Sequence, residues 1–383
     1  MTDTAHLVDI AIGLSGLALI VMVFLDVFQS IIVPHYTPKG TRLSPRFISK
    51  VLWQPLRTLV RALPDSSFLQ GNLTMFAPAA MMSLISCWLV LMTCGYSLLL
   101  WAERSQVKPP LANMGEAIYF AATSVLTIGY GDLIACTPLA RATVICAAVS
   151  GLVLLAITVS FLFAIQSHFH VREVNSQIIS SRHEHSANGA MFYHNLRKEA
   201  IATSTLELCE RWLTEVYQSH SAYPLLLYFR SRSTKASWLV QFGVVLDAAA
   251  IGLALDSQKN RVLKRSIYDN GSRALAVFSN YLSLSPRHHL EIQDPQVFEQ
   301  VFHALGAPNY IQAAANFAEL RQHYYPELHA LADFLLISLP PLSVIDAEQL
   351  EYEPGANMAL PKDKKHVPGM TAVFDWPPGQ NIR

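Results

Sequence analysis

Hydrophobic positions are spread unevenly along the chain. They gather into three long, nearly unbroken blocks before residue 170, and afterwards recur in shorter periodic stretches. A helix that crosses a bilayer needs about 20 mostly apolar residues. Residues 8–33, 74–101 and 139–166 meet that requirement. The first carries Asp9 and Asp26, the second has no charged residue, and the third is charged only at Arg141 near its start. Pro78 falls in the first turn of the second block, where a missing N–H is harmless. Trp101 at its far end suits a membrane interface. The rival for the first block is a cleavable signal peptide, which needs a basic start and a short apolar core. No Lys or Arg precedes Val8 and the apolar run is too long, so a retained helix is expected. Asp26, costly inside a span, reads as a hydrogen-bonded packing residue near the inner boundary, with a gating contact to a neighbouring helix as the alternative.

Helical periodicity returns near 191–219, 237–255, 273–284, 296–305 and 318–336, punctuated by Pro224, Pro286, Pro308, Pro326, Pro340 and Pro341. Few alternating strand runs appear, so a mostly helical domain of about 180 residues is expected. The run 238–255 is apolar enough to suggest a fourth span. Asp247 in its middle, at about 2.5–3.5 kcal/mol for a centred charge, points instead to a buried helix of a water-soluble domain. From Pro354 on, five prolines and three glycines predict an extended or disordered tail.

Composition sharpens this picture. Of 383 residues, 52% are hydrophobic and only 15% charged, and the mean hydropathy is +0.29. Soluble domains carry about 25% charge. The 28 basic and 28 acidic residues cancel, which removes the basic excess of a nucleic-acid binder. Cys87, Cys94, Cys136, Cys146 and Cys209 form no Cys-x-x-Cys pair, so metal ribbons and redox motifs are absent from the sequence. Loop charge sets an orientation. Residues 34–73 carry Lys39, Arg42, Arg46, Lys50, Arg57 and Arg61 against Asp65, whereas 102–138 carry only Arg104 and Lys108 as cations. The first loop is therefore expected in the cytoplasm, with the N-terminus outside and the C-terminal half cytoplasmic. Lys50, Gln54, Arg57 and Arg61 share one helix face, with apolar residues on the rest. A basic amphipathic helix on the inner membrane surface is expected, kinked at Pro55.

Between the second and third blocks lies an amphipathic run from Met114, ending in Thr127-Ile128-Gly129-Tyr130-Gly131-Asp132. A row of backbone carbonyls aimed at one axis can replace the water shell of an ion, and glycine reaches the φ > 0 that such a backbone needs. Gly129 and Gly131 are the expected conformational hinges. The hexapeptide, with a short helix before it and an apolar span on each side, resembles the signature filter of pore-loop potassium channels. The resemblance covers roughly residues 74–166.

It implies a re-entrant pore helix and filter in a homotetramer. The carbonyls of Thr127, Ile128, Gly129 and Tyr130, with the Thr127 hydroxyl, would hold K⁺. Gly131, Asp132, Tyr119 and Thr123 would support the filter, with Ile128 and Tyr130 turned outward against the pore helix. The family's paired tryptophans appear here as Tyr119-Phe120, and a carboxylate often found behind the filter is replaced by Thr123. The Tyr119 hydroxyl is then the expected partner of Asp132. Gly151, 22 residues beyond Gly129, stands where such channels carry a hinge, with close helix packing as the alternative. Phe161 and Phe163 suit an apolar gate. The first span lacks the spaced arginines of a voltage sensor.

The expected organisation is an all-α membrane protein: an N-terminal span (1–34), an amphipathic linker (35–73), a pore domain (74–170), a helical cytoplasmic domain (171–353) and a Pro-rich tail (354–383). The expected function is passive, K⁺-selective conduction across the plasma (inner) membrane, modulated by the cytoplasmic domain. No enzyme activity, organic cofactor or nucleic-acid partner is expected. No Gly-x-Gly-x-x-Gly or Gly-x-x-x-x-Gly-Lys loop appears. His168, His170, His183, Glu184 and His185 lack a metal-ligand set. Arg230, Arg232 and Lys235 form a basic cluster that reads as a solvated turn or as a contact for an anionic lipid or ligand. Two rivals remain. A K⁺ uptake transporter on a related pore would carry four degenerate filters, whereas this chain has one. A receptor with a vestigial pore would need an active module, and the C-terminal half shows no catalytic constellation.

Overall fold

Three helices long and apolar enough to cross a membrane organise the first half of the computed structural model: His6–Ile31, Leu73–Ala102 and Pro138–Ser181. The residues described are 2–32, 43–63, 71–182, 187–198, 202–231, 233, 236–255, 258–286 and 295–343. Met1–Val344 forms one unit and Ile345–Arg383 another, so the expected tail lies outside the described residues.

Helix α1 (Thr2–Val27) runs on through a π turn at Phe28–Ile32. It packs along α3 (Phe76–Ala102). The two backbones meet at glycines: a Cβ on Gly16 would lie 2.6 Å from the Gly95 carbonyl oxygen. Each end of this pair is pinned by a carboxylate. Asp9 takes two guanidinium hydrogen bonds from Arg104, at 2.6 and 3.0 Å. Asp26 is buried and accepts from the Ser44 hydroxyl at 2.6 Å, the Ser44 amide at 3.3 Å and Trp88 Nε1 at 2.9 Å. Asp26 is thus a hydrogen-bonded packing residue that ties the linker to α3.

The linker enters through Leu43–Arg46 and a π-helical stretch, Phe47–Trp53, before α2 (Gln54–Ala62). Pro55 lies in the first turn of α2, where its missing N–H is tolerated. The geometry change sits on its N-terminal side, as a π turn. The resulting register buries Trp53 against Phe76, Tyr228 and Phe334, with ring centroids 4.7, 5.5 and 6.1 Å away. The basic face expected to meet lipid also has a protein partner. Arg57 and Arg61 both reach the Asp333 carboxylate, at 2.9 and 2.6 Å.

Helix α4 (Met114–Val125) follows, then α5 (Pro138–Ser181). Thr137 caps α5 by accepting from the Ala140 amide at 3.2 Å, and Pro138 fills its first position. At 1.5 Å per residue, its 44 residues span about 66 Å, roughly twice a bilayer core. The excess enters the C-terminal domain. A two-residue antiparallel pair, β1 (Val107–Lys108) and β2 (Ile134–Ala135), closes the loop around α4.

The C-terminal domain holds α6 (Gly189–Lys198), α7 (Ala202–Ala222), α8 (Trp238–Ala254), α9 (Arg261–Tyr281), α10 (Pro295–Ala304), α11 (Tyr310–Gln322) and α12 (Tyr325–Leu335). Helix α8 is its centre. Almost every residue of α8 is buried, and α5, α6, α9, α11 and α12 pack around it. The Asp247 charge that argued against a membrane span is held by Arg321 Nε at 3.1 Å and by the Tyr324 hydroxyl at 2.5 Å. The chain is an all-α membrane protein, as expected, but element boundaries differ. The stretch 318–336 divides because Pro326 starts a new helix. Helix α9 begins at Arg261, twelve residues before its apolar periodicity is obvious, because Lys264 and Arg265 break the pattern.

Candidate functional site

The site begins with α4. Its N-terminus is closed by a reciprocal cap: the Asn113 side chain accepts from the Glu116 amide at 3.0 Å, and the Glu116 carboxylate accepts from the Ala112 amide at 2.7 Å. The residues that follow α4 satisfy its C-terminus. The amides of Leu126, Thr127, Ile128 and Gly129 donate to the carbonyls of Ala122, Ser124, Thr123 and Thr123, at 2.9, 3.0, 2.8 and 3.3 Å. The helix end and the segment after it are therefore one hydrogen-bonded unit. Thr123, an expected support residue, is buried and contributes through its carbonyl, while its hydroxyl donates to Phe120 O at 3.1 Å.

Along the hexapeptide φ is positive at every second residue: +56° at Thr127, +60° at Gly129 and +81° at Gly131. Sequence reasoning reached the glycines but missed Thr127, whose β-branched side chain disfavours this region. Such a residue persists only where its surroundings hold it, here through the amide bond to Ser124. Residues 126–132 are exposed, and among the described residues only Tyr119 packs on this segment by ring stacking. Ile128 does not brace against α4, being 49% exposed. Tyr130 stacks on Tyr119 with centroids 6.4 Å apart and rings within 3° of parallel. The Tyr119 hydroxyl donates to Asp132 at 2.9 Å, the partnership expected from the sequence.

At Gly151 the structure shows close packing and no bend. Helix α5 passes it unbroken, and a Cβ there would lie 1.8 Å from the Val125 carbonyl oxygen. Close packing, the alternative reading, describes it: the last carbonyl of α4 rests on the bare backbone of α5. Next to it, Ser150 and the Tyr96 hydroxyl hydrogen-bond at 2.6 Å and tie α5 to α3. On the other side of the loop, Glu103 is buried and takes a hydrogen bond from Thr143 at 3.0 Å. Phe161 does not fit the expected gate. It is buried against Tyr223 of its own chain, centroids 6.0 Å apart, so its ring is committed within the subunit. Phe163 is 69% exposed and stays available.

One constellation has no motif and was missed. Arg172 projects from α5 into the C-terminal domain and is buried. It donates to Leu226 O at 3.0 Å and Phe229 O at 2.8 Å, pairs with Glu173 at 2.9 Å, and lies over the rings of Phe169 and Trp238 at 5.1 and 5.2 Å. Ser176, one turn on, donates to Ala236 O at 2.7 Å. His220 Nε2 is 3.2 Å from the Arg172 guanidinium. Arginine can only donate, so Nε2 accepts and the proton sits on Nδ1, 2.9 Å from Val216 O. Burial, with the Arg172 cation second, holds the His220 imidazole well below its ordinary value of 6.5. The unfolded chain therefore binds a proton here that the folded chain refuses. Stability is intact above pH 6.5 and falls as pH drops below it. His220→Gln should flatten that acid-side loss; a thermal-melting profile from pH 7 to pH 5 checks it.

The metal and ligand readings are also narrowed. Among the described residues, no group of three or more His, Cys, Asp or Glu side chains could hold a metal ion. The rings of His168 and Tyr223 pack together, while His183, Glu184 and His185 lie outside the described residues. Arg230 is not a solvated turn: it is part-buried and donates to Leu335 O and Leu336 O at the end of α12, at 3.4 and 2.9 Å. Arg232 and Lys235 lie outside the described residues.

Residues 83–167 match a family model described as Ion channel. The Bacillus subtilis (strain 168) protein named "Uncharacterized membrane protein YdjJ" is 23% identical over 190 residues, 47% of this chain and 54% of that protein. The chain thus spans about half the length of this curated relative. No solved structure matches.

Proposed function

We propose that the chain is one subunit of a homotetrameric, potassium-selective channel of the plasma membrane, a reading supported by the match of residues 83–167 to an ion-channel family model. The observation that carries this reading is the alternation of positive φ at Thr127, Gly129 and Gly131 in a segment fastened to the end of α4. An alternating backbone turns successive carbonyls to one side. Four such segments around an axis give K⁺ the oxygens that replace its hydration shell. The segment's exposure in one subunit fits a site that other copies complete. The Thr127, Ile128, Gly129 and Tyr130 carbonyls and the Thr127 hydroxyl hold the ion; Gly131, Asp132, Tyr119 and Thr123 maintain the loop. The orientation follows the cationic first loop: N-terminus outside, C-terminal domain in the cytoplasm.

The C-terminal domain grips the membrane part at two places, and this supports a role in gating. It clamps α5 through Arg172 and Ser176, and it holds α2 through Trp53, Arg57 and Arg61. A rigid α5 transmits movement of the domain to the pore, and a ligand that prefers one domain position shifts the closed–open equilibrium. Phe163 is the gate residue that the exposed face of α5 offers.

Single-channel recording from the purified protein tests the reading. Wild type should conduct K⁺ and reject Na⁺. Gly129→Ala places a Cβ at φ +60°, at about 1 kcal/mol or more per subunit, and should abolish K⁺ current while tetramers still assemble. Unaltered K⁺-over-Na⁺ selectivity in that variant would contradict the filter assignment.

A further inference from the structure

Between α2 and α12 lies a cavity of about 390 Å³. Arg57, Arg61, Ser285, His329 and Asp333 supply its polar lining and Phe334 part of its wall. Its charge is unbalanced: two guanidiniums face one carboxylate. Arg57 and Arg61 stand one turn apart on α2, and both spend their Nη2 groups on Asp333. Arg57 Nε is buried and has no hydrogen-bond partner among the described residues. A buried donor left unpaired is costly, and this one belongs to a cation that already crowds another. Burial first, then the neighbouring Arg61 charge, hold the Arg57 guanidinium below its ordinary value.

From this arrangement we propose that the α2–α12 cavity is a binding site for a phosphate group, in which Arg57 and Arg61 are the recognising residues and Asp333 is an internal competitor. The guanidinium fork matches tetrahedral oxyanions, and bonds from two forks to one phosphate are charge-assisted on both sides. Asp333 has a side chain 56% exposed, and an ion pair that open to water contributes little, so it yields readily to a ligand bearing more charge and more oxygens. A phosphate in the cavity offers acceptors to the Arg57 and Arg61 Nη2 groups that now hold Asp333. It also holds two elements that move together only if the domain and the linker stay docked. Trp53, on the same helical run as Arg57, carries that contact to Phe76 at the start of α3. Regulation of conduction by this site rests on the channel reading above; binding itself does not.

A phosphate can arrive free in solution or as a lipid headgroup, and the test separates these sources. The full-length protein is reconstituted in vesicles of phosphatidylcholine alone, or of phosphatidylcholine mixed equally with phosphatidylglycerol. Inorganic phosphate is titrated into the first set, and its affinity and the melting temperature are measured. Arginine-dependent phosphate binding in the first set assigns a soluble ligand. Arginine-dependent stabilisation confined to the second assigns a headgroup. Arg57→Gln with Arg61→Gln should weaken the responding arm by about tenfold or more, equal to about 1.4 kcal/mol. Asp333→Asn, which keeps both arginines, should bind several-fold more tightly and serves if the double variant fails to fold. The site is overturned if neither anion responds to loss of the arginines, or if Asp333→Asn binds no better than wild type. K⁺ flux from the same vesicles is read separately. Absent flux with intact anion binding sinks the channel reading and leaves this one standing.

Discussion

Gly151→Ala is expected to give a destabilised, non-conducting protein. The added methyl has nowhere to go. Its carbon would sit 1.8 Å from the Val125 carbonyl oxygen and 2.8 Å from the carbonyl carbon. Both belong to backbone, which cannot swing aside as a flexible side chain can. Overpacking a core costs about 1–3 kcal/mol, and a rigid backbone contact belongs at the top of that range. The displacement also reaches the chemistry. Val125 immediately precedes the residues whose amides close the end of α4, so pushing α5 away disturbs Leu126–Gly129 directly. A lower melting temperature and lost K⁺ current are expected together. Gly71→Ala, where nothing lies within 4 Å, is the control and should behave as wild type. Were Gly151 a hinge instead, alanine would leave the melting temperature alone and alter only open probability; that result would reject the packing assignment.

Arg172→Ala is expected to detach the C-terminal domain from α5 and to cost about 3–5 kcal/mol, the range for removing one partner of a buried charged network. The substitution strips donors from Leu226 O and Phe229 O, leaves Glu173 without its cation and takes the guanidinium from between the Phe169 and Trp238 rings. Hydrogen exchange should rise sharply across Pro224–Tyr228, the 3₁₀ turn next to those carbonyls. Arg172→Lys keeps the charge but lacks the planar fork, which must serve Leu226 O, Phe229 O and Glu173 at once, so it should restore only part of the loss. Exchange at the turn unchanged from wild type would show that the domain is held elsewhere.

These two residues mark the division between what a linear reading reaches and what it does not. Spans appear in the sequence because a bilayer imposes length and apolarity on contiguous residues, and all three occur where the blocks lie. The loop after α4 is legible for a related reason: in the proposed pore its chemistry is carried by backbone, so the need for φ > 0 is written as glycine at Gly129 and Gly131. A local pairing such as Tyr119 with Asp132 is likewise within reach, thirteen residues apart across the end of α4. Thr127 defeats that logic, because its positive φ is enforced by the end of α4 and not by residue type.

Contacts between distant segments leave no local mark. Arg172 looks like any polar residue near the end of a helix until Leu226, Phe229 and His220 close around it. Arg57 and Arg61 look like a lipid-facing stripe until Asp333, 272 residues beyond Arg61, takes both. Gly151 and Phe161 carry motif-like positions, yet their roles are set by what touches them: a carbonyl from α4 and a ring from the C-terminal domain. Sequence alone determined the spans, the loop and its glycines, because membrane thickness and backbone sterics act on neighbours along the chain. The grip of the C-terminal domain on α5 and α2 was decided by tertiary structure, because buried donors and charges take whichever partners the fold brings within reach.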